Sequence, residues 1–391
     1  MSTIKVNRIE NTSTTDGGVS IDTDGHVTID GQQLPTAGPL SNRNLIINGA
    51  MTVSQRSTSN AGQTATAYRA CDRFQTGIDS LGTWTVSQAA SAPAGFSKSL
   101  KMECTTANAS PSAGSFAAIF YTIEAQDLQL LNYGTANAEV VQLSFWVRSN
   151  KTGSASFAVR QRDNSDKLFS KVYNFNSTAD TWKKIEIEIP ADTAGVINDD
   201  NGQGLTLAWW LNSGSNFTGG GATTGWEALD NTKRNPTNAG IGGTVNDYFE
   251  ITGVQLEVGS KATPFEHESY GQTLNKCMRY FQMIGNNCMI TRNANGVPYT
   301  GAPLEGSFVI PRMRAAPTIA ASDGTSTITA EFVDTNYGSA TNREVRFIVT
   351  SGSSSHTVQP NYNFLDNGNV TLGTAFVLAR TLEDIYITAE L

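Results

Sequence analysis

The stretch Phe249–His267 reads Phe-Glu-Ile-Thr-Gly-Val-Gln-Leu-Glu-Val-Gly-Ser-Lys-Ala-Thr-Pro-Phe-Glu-His. Phe249 and Ile251 alternate with Glu250 and Thr252; Val254, Leu256 and Val258 alternate with Gln255 and Glu257. The apolar phase slips by one residue at Gly253. Side chains along a strand have period 2, so a one-residue slip would turn the second half to the wrong face. A β-bulge at Gly253 repairs the slip, and an isolated glycine in a strand pattern often marks one. The stretch therefore predicts one long bulged strand with an apolar face throughout. Gly259-Ser260 ends it, and Pro264-Phe265 starts an extended exit. We read it as the closing strand of a β-sandwich that the preceding residues build.

Composition agrees. The chain has 391 residues, 39% hydrophobic and 16% charged, with 36 glycines. That suits short strands joined by turns rather than helices. Working back from the closing strand, alternating runs fall at Thr83–Ser87, Ser99–Cys104, Ala117–Ile123, Val141–Arg148, Ser154–Gln161, Phe169–Phe175, Lys183–Ile189 and Leu205–Leu211. Regular spacing with Gly, Asn and Ser between the runs predicts an all-β sandwich or barrel. Helix is expected only as a turn near Glu124–Leu131.

Several words along this stretch resemble bacteriophage tail-fibre and tail-tip proteins. They are Asn44–Met51, Asp72-Arg73-Phe74, Ser144–Gly153, Thr181–Lys184, Ile251–Gly259 and Thr263–His267. The resemblance covers about 230 residues, with Asn44–Met51 as an opening strand, and implies a jelly roll similar to carbohydrate-binding modules. Such modules often carry a structural calcium ion, so calcium stays open with no ligands assigned and no other cofactor is expected.

On either side lie two further segments. Residues 1–34 read as short strands, Ile4–Ile9, Gly18–Asp22 and His26–Asp30, with Asp-Gly turns at 16–17, 24–25 and 30–31. The segment holds too little apolar mass to be stable alone. Either it is disordered until bound or it pairs with copies of itself; its opening resembles phage fibre starts that intertwine as trimers. Residues 32–41 form a linker. Beyond the sandwich, Ser269–Gln282 predicts a helix capped by Ser269, with Tyr270, Leu274, Cys277, Met278 and Phe281 as its apolar stripe, packing on a trimer axis or covering the sandwich base. Strands then recur at Gly306–Ile310, Thr327–Val333, Glu344–Thr350, Val370–Leu378 and Asp384–Leu391, enough for a smaller C-terminal β-sandwich. Arg312–Thr318 resembles the link that precedes a C-terminal domain in these phage proteins. The domains are thus 1–40 for attachment and trimerisation, 41–268 for the jelly roll, and 269–391 for helix and distal domain.

Bulk features exclude some functions. A net charge of −8 with no basic cluster argues against nucleic acid. No apolar run approaches the roughly 18 residues of a membrane span, and no apolar leader opens the chain, so membrane insertion is not expected and synthesis in a bacterial cytoplasm is. Cys71, Cys104, Cys277 and Cys288 form no Cys-x-x-Cys pair and read as buried thiols.

Catalytic patterns are scarce. His26, His267 and His356 fall one per segment, a poor basis for a Ser-His-Asp set. Gly219-Gly220-Gly221 lacks a phosphate loop's spacing and reads as a loop. Asp199-Asp200-Asn201-Gly202 resembles part of a calcium loop but lacks the later Glu, and reads as a tight turn. The chain also lacks the long repeat of β-helical phage depolymerases. It is expected not to be an enzyme, with catalytic and metal residues none, although a paired-carboxylate cleft remains open to a sequence reading.

Alternation points to one binding surface. Phe145 and Val147, Phe157 and Val159, and Leu207 and Trp209 take the core face of their strands. If these strands share a sheet, Trp146, Arg148, Arg160 and Trp210 project from its other face. Aromatic rings that stack on sugars, beside donors for hydroxyls or carboxylates, are what a glycan site needs. The bland alternative is that both tryptophans pack against a neighbouring subunit or a long loop. The expectation is a homotrimeric virion protein of the tail that joins other phage tail proteins through residues 1–40 and recognises a host surface polysaccharide. A structural connector without a receptor, or a polysaccharide depolymerase, are the alternatives.

Overall fold

The computed structural model describes residues 8–10, 18–21, 27–29, 32–33, 41–163, 166–284, 289–294, 304–309, 313–315, 318–321, 328–332, 344–349, 375–380 and 385–391. His26, His356, Cys288, the three N-terminal Asp-Gly turns and residues 312, 316 and 317 of the Arg312–Thr318 link lie outside them. Among the described residues the chain is β throughout, with one α-helix and two short 3-10 turns. It divides into two compact units, one running to Thr273 with Leu391 added, the other Leu274–Glu390.

Four short strands, β1 (Arg8–Glu10), β2 (Gly18–Ile21), β3 (Val27–Ile29) and β4 (Gln32–Gln33), form an antiparallel meander. The next strands are β5 (Ser59–Tyr68), β6 (Phe74–Ala89), β7 (Ser99–Thr106), β8 (Phe116–Glu124), β9 (Val141–Ser149), β10 (Gly153–Gln161), β11 (Lys167–Asn176), β12 (Lys183–Ile189), β13 (Gln203–Ser213), β14 (Glu227–Ala228) and β15 (Tyr248–Val258). Their order is β12-β9-β15-β7-β6-β8-β13-β10-β11-β14, with β5 on β6. β6 is 16 residues long and belongs to both halves. Thr83–Ala89 pairs with β7, while Phe74–Asp79 pairs with β8. A first sheet (β12-β9-β15-β7-β6) therefore folds over a second (β6-β8-β13-β10-β11-β14). The chain crosses repeatedly between the two, staying in the second sheet only at β10–β11 and β13–β14, which is jelly-roll connectivity.

The core lies between them. Phe145 of β9 meets Trp209 of β13 at 5.7 Å and Tyr173 of β11 at 5.4 Å, edge to face. Phe157 adds a ring 5.6 Å from Trp209. Such geometry places the positive ring edge on the negative face, worth about 1 kcal/mol per pair beyond area burial.

The bulge falls where the phase slip puts it. The pairing of β15 with β9 shifts register between Thr252 and Gln255, and Gly253 has φ +60. Phe249, Ile251, Val254 and Leu256 are thereby all core residues. The strand closes the sandwich in sequence but sits in the middle of its sheet, between β9 and β7.

Some expectations are corrected. Asn44–Met51 is a turn, not an opening strand: Asn48 and Met51 take φ 63 and 58, and Asn44 uses its side chain on backbone, its Oδ1 accepting from the Ile46 and Leu256 amides. The strand over Thr83–Ser87 begins nine residues earlier, and β5 and β14 had no clear alternation to announce them. The helix, α1, covers only Tyr270–Met278; Phe281–Ile284 turns into β16. Its N-terminal box is present, Ser269 N donating to Gln272 Oε1 and the Gln272 amide to Ser269 Oγ. Its stripe is only partly apolar cover, since Tyr270 is 59% exposed whereas Cys277 and Phe281 are buried.

In the second unit, β16 pairs with β23 (Ile385–Thr388), which pairs with β19 (Thr318–Ala321). β17 (Met289–Ala294) pairs with β22 (Ala375–Arg380), and β21 (Glu344–Val349) lies between β18 (Leu304–Val309) and β20 (Ile328–Phe332).

Candidate functional site

β15 is buried on both faces, and the cover on its outer face comes from the chain's own exit. Glu257 accepts from the Thr263 amide at 2.9 Å and from its hydroxyl at 2.6 Å. Gln255 Oε1 accepts from the Glu266 amide at 2.7 Å. The Glu266 carboxylate then accepts three consecutive amides, Asn42, Arg43 and Asn44, at 2.7, 2.8 and 3.0 Å. Beside the bulge, the Val254 amide donates to Gly49 O at 2.9 Å, and a Cβ at Gly49 would lie 2.1 Å from Val254 O. Asn48 Nδ2 donates to the Val53 and Asp72 carbonyls, each at 2.9 Å. Four of the resembling sequence words thus close into one clasp that joins the two ends of the sandwich. Their role visible here is architectural.

His267 belongs to the same clasp, its ring 5.3 Å from Phe96 and 4.9 Å from Phe265. The cleft between the clasp's two segments, which His267 lines with Asn48 and Thr273, holds about 70 Å³, far below the roughly 300 Å³ of a small-molecule pocket.

The four residues assigned to one surface lie on two. β9 carries Trp146 and Arg148 on the outer face of the first sheet. β10 and β13 carry Arg160 and Trp210 on the outer face of the second. The in-or-out alternation within each strand holds; the shared sheet does not. Alternation fixes a residue's face relative to its own strand and says nothing of which strands pair.

On the first face, β9 is flanked by β12 and β15, with Trp146 opposite Lys184 and Thr252, and Arg148 opposite Glu250. Arg148 and Glu250 form a 2.7 Å ion pair, and Glu250 is 1% exposed. Burial pushes the Glu250 carboxyl up, with Arg148, Lys101 and a Ser91 hydrogen bond pulling the other way. The Arg148 guanidinium carbon stands 5.7 Å from the Trp182 ring and 5.5 Å from the Tyr248 ring. Tyr248 OH hydrogen-bonds Asp180, and Lys101 Nζ lies 4.7 Å from the Tyr248 ring. Trp146 and Trp182 are both half-buried. The surface offers a fixed arginine between the Trp182 and Tyr248 rings, with Trp146 two residues along β9 on the same face and Lys184 and Glu186 at its rim. Trp182 and Tyr248 were missed from sequence, yet parity could have found Trp182: it shares the face of Lys184, Glu186 and Glu188, the exposed residues of β12.

On the second face Trp210 is 1% exposed. It packs with Ala118, Ala158, Leu168 and Ala208 beneath Phe116, Phe120 and Phe217. The Arg234 guanidinium carbon lies 4.9 Å above its ring. A ring so covered cannot stack on a sugar from solvent, so the long-loop alternative holds for Trp210. Arg160 remains half-buried beside it, paired with Asp166.

Cys71, Cys104 and Cys277 are buried. Asp200 makes the tight turn expected of its loop, accepting from the Gly202 amide at 2.7 Å. Among the described residues no three His, Cys, Asp or Glu side chains converge as a metal site, and no helix is long and apolar enough to cross a membrane.

No protein-family profile matches the sequence, and no curated protein matches it. Solved structures give distant likenesses. The enzymatically active domain of tailspike protein 4 from bacteriophage CBA120 aligns at 13% identity over 55% of this chain and 21% of that one, TM-score 0.28. The family 11 carbohydrate-binding module of a Clostridium thermocellum cellulosomal cellulase aligns at 12% identity over 52% and 88%, TM-score 0.24. The N-terminal CBM22-1–GH10 modules of a Clostridium thermocellum xylanase, complexed with xylohexaose, align at 10% over 53% and 29%, TM-score 0.28. The matched part spans about a fifth of the tailspike chain. At these scores the fold rests on the sheet topology itself.

Proposed function

We propose that this chain is a non-enzymatic virion protein, a trimeric tail fibre or tail-tip protein that recognises a host-surface glycan through the outer face of its first sheet. The observation that carries the glycan reading is the half-buried pair Trp146 and Trp182 around Arg148, whose orientation the Glu250 ion pair fixes. Indole faces stack on the apolar faces of sugar rings, and a guanidinium held in place donates to hydroxyls without a large ordering cost. Support for self-association comes from the N-terminal meander, which leaves Ile9, Ile21 and Ile29 exposed on a sheet too small to stand alone. Three weak sites on one rigid trimer would raise avidity without new contacts.

A purely structural connector is the second reading. It is favoured by the clasp, because the words that resemble phage fibres are used for closure rather than for a ligand. Adsorption competition separates the two. Full-length protein added to host cells before the phage should block adsorption, and stripping surface polysaccharide should remove its binding. The W146A/W182A double variant should lose cell binding while keeping the oligomer. A stable oligomer that neither binds cells nor slows adsorption establishes the connector; release of reducing ends from the polysaccharide would establish a depolymerase. A solution mass near 41.8 kDa at micromolar concentration refutes the trimer.

A further inference from the structure

We infer that the outer face of the second sheet holds an anion-binding site, formed by Arg160, Arg162 and Arg234, that takes the carboxylate or sulfate of an acidic saccharide. The class of ligand rests on the glycan reading above; the charge preference rests on local geometry alone, on the face opposite Trp146.

Three guanidiniums converge here. Arg160 projects from the end of β10 opposite Thr206 of β13. Arg162, just past the strand end, donates from Nε to Gln203 Oε1 at 3.2 Å. Arg234 arrives from the loop between β14 and β15, held between the Trp210 and Phe217 rings at 4.9 and 5.4 Å. One carboxylate answers them. Asp166 pairs with Arg160 and, at 3.3 Å, with Arg162. Among the described residues no other acid forms an ion pair with any of the three. The neighbouring acids are engaged elsewhere: Asp163 accepts from the Asn198 amide at 3.1 Å, Glu227 holds Lys233 at 2.5 Å, and Asp192 holds Lys167 at 2.8 Å.

The cluster therefore carries three positive charges against one negative in a chain whose net charge is −8. Like charges drawn together and partly desolvated disfavour the charged state. Burial, then Arg160 and Arg162, pulls the Arg234 guanidinium down to about 10. The buried Nε atoms of Arg160 and Arg234 have no hydrogen-bond partner, which is costly unless something supplies an acceptor. An incoming carboxylate or sulfate supplies acceptor oxygens and the missing charge together. The hydroxyls of Thr206 and Thr122, 3.2 Å apart in the same cross-strand row, lie beside it and suit sugar hydroxyls. A long polyanion such as nucleic acid is disfavoured by the chain's overall negative charge.

The test is calorimetric titration of the full-length protein with an oligomannuronate hexasaccharide, a sulfated dextran oligosaccharide and neutral dextran. At least one anionic oligosaccharide should bind, more weakly as salt rises, and neutral dextran should not. R162Q should weaken that binding about tenfold, and R160Q/R162Q should abolish it. Because Arg234 also packs its loop, R162Q, on a more exposed side chain, is the variant to rely on, with folding confirmed by tryptophan fluorescence. No binding of either anionic oligosaccharide, or binding that R160Q/R162Q leaves intact, overturns the site. Anion binding that persists when cell binding through Trp146 and Trp182 proves absent removes the function proposed above and retains this site. Cell binding through those tryptophans without anion binding does the reverse.

Discussion

Replacing Gly253 with alanine tests whether the bulge and the candidate face are one construction. Two costs add. The backbone has φ +60, which an L residue adopts at a cost of about 1 kcal/mol. The new Cβ would stand 2.7 Å from Phe96 Cζ and 3.0 Å from Trp146 Cδ1, so both rings must move. Phe96 holds Phe265 at 5.0 Å and His267 at 5.3 Å, and shifting it loosens the clasp by about 1–2 kcal/mol. The sum, about 2–3 kcal/mol, should lower the melting temperature of a unit of this size by about 5–10 °C. The chain's six tryptophans, Trp84, Trp146, Trp182, Trp209, Trp210 and Trp226, all lie in the sandwich. Tryptophan fluorescence therefore reports that unit alone, even if the second unit melts separately. Gly253→Asn should recover part of the backbone cost, since asparagine tolerates this φ, but none of the steric cost. Adding Phe96→Ala to the alanine variant should give a coupling of the opposite sign to the single losses. A Gly253→Ala melting curve within about 1 °C of the parent would refute the reasoning.

Glu266→Ala removes the acceptor of three backbone amides and should cost about 2–3 kcal/mol, with new proteolytic cleavage at Arg43; unchanged stability and cleavage would remove the clasp's energetic role. Glu250 gives a pH test. Its folded carboxyl is raised above the ordinary 4.5, so between 4.5 and the raised value the folded state binds more protons, and stability falls as pH rises through that window. Gln does not titrate, so the stability of Glu250→Gln relative to the parent should improve from pH 4 to pH 7; a flat or opposite trend in urea midpoints refutes the assignment. Burial raises the Cys71 and Cys104 thiols, so mass-spectrometric mapping should find both unlabelled by a thiol reagent in the native protein and labelled after denaturation. Labelling of Cys71 in the native protein would contradict its burial.

What could be read from the sequence was whatever a single strand carries within itself. Phe249–Val258 held its bulge because period-2 alternation and the conformational freedom of glycine are local facts. The helical turn near Glu124–Leu131 and the Ser269 cap were legible for the same reason. Asn44–Met51 misled because its apolar run looks like a strand, while its asparagine side chains compete for the backbone hydrogen bonds a strand would use. Trp146, Arg148, Arg160 and Trp210 were each turned away from the core side of their strands, as alternation required. Their assembly into one site was decided by pairing. β9 joined β12 and β15, while β10 joined β13 and β11, so the sandwich core separates the two pairs. Likewise the sequence could not say that Phe217 and Arg234 would fold down over Trp210, nor that Trp182 would come to lie beside Arg148. Those contacts join separate segments, 24 residues apart for Arg234 on Trp210 and 34 for Trp182 beside Arg148, and their free energy comes from surfaces that meet only in the folded sandwich. The faces were therefore set by local stereochemistry, and the neighbours on each face by the tertiary packing.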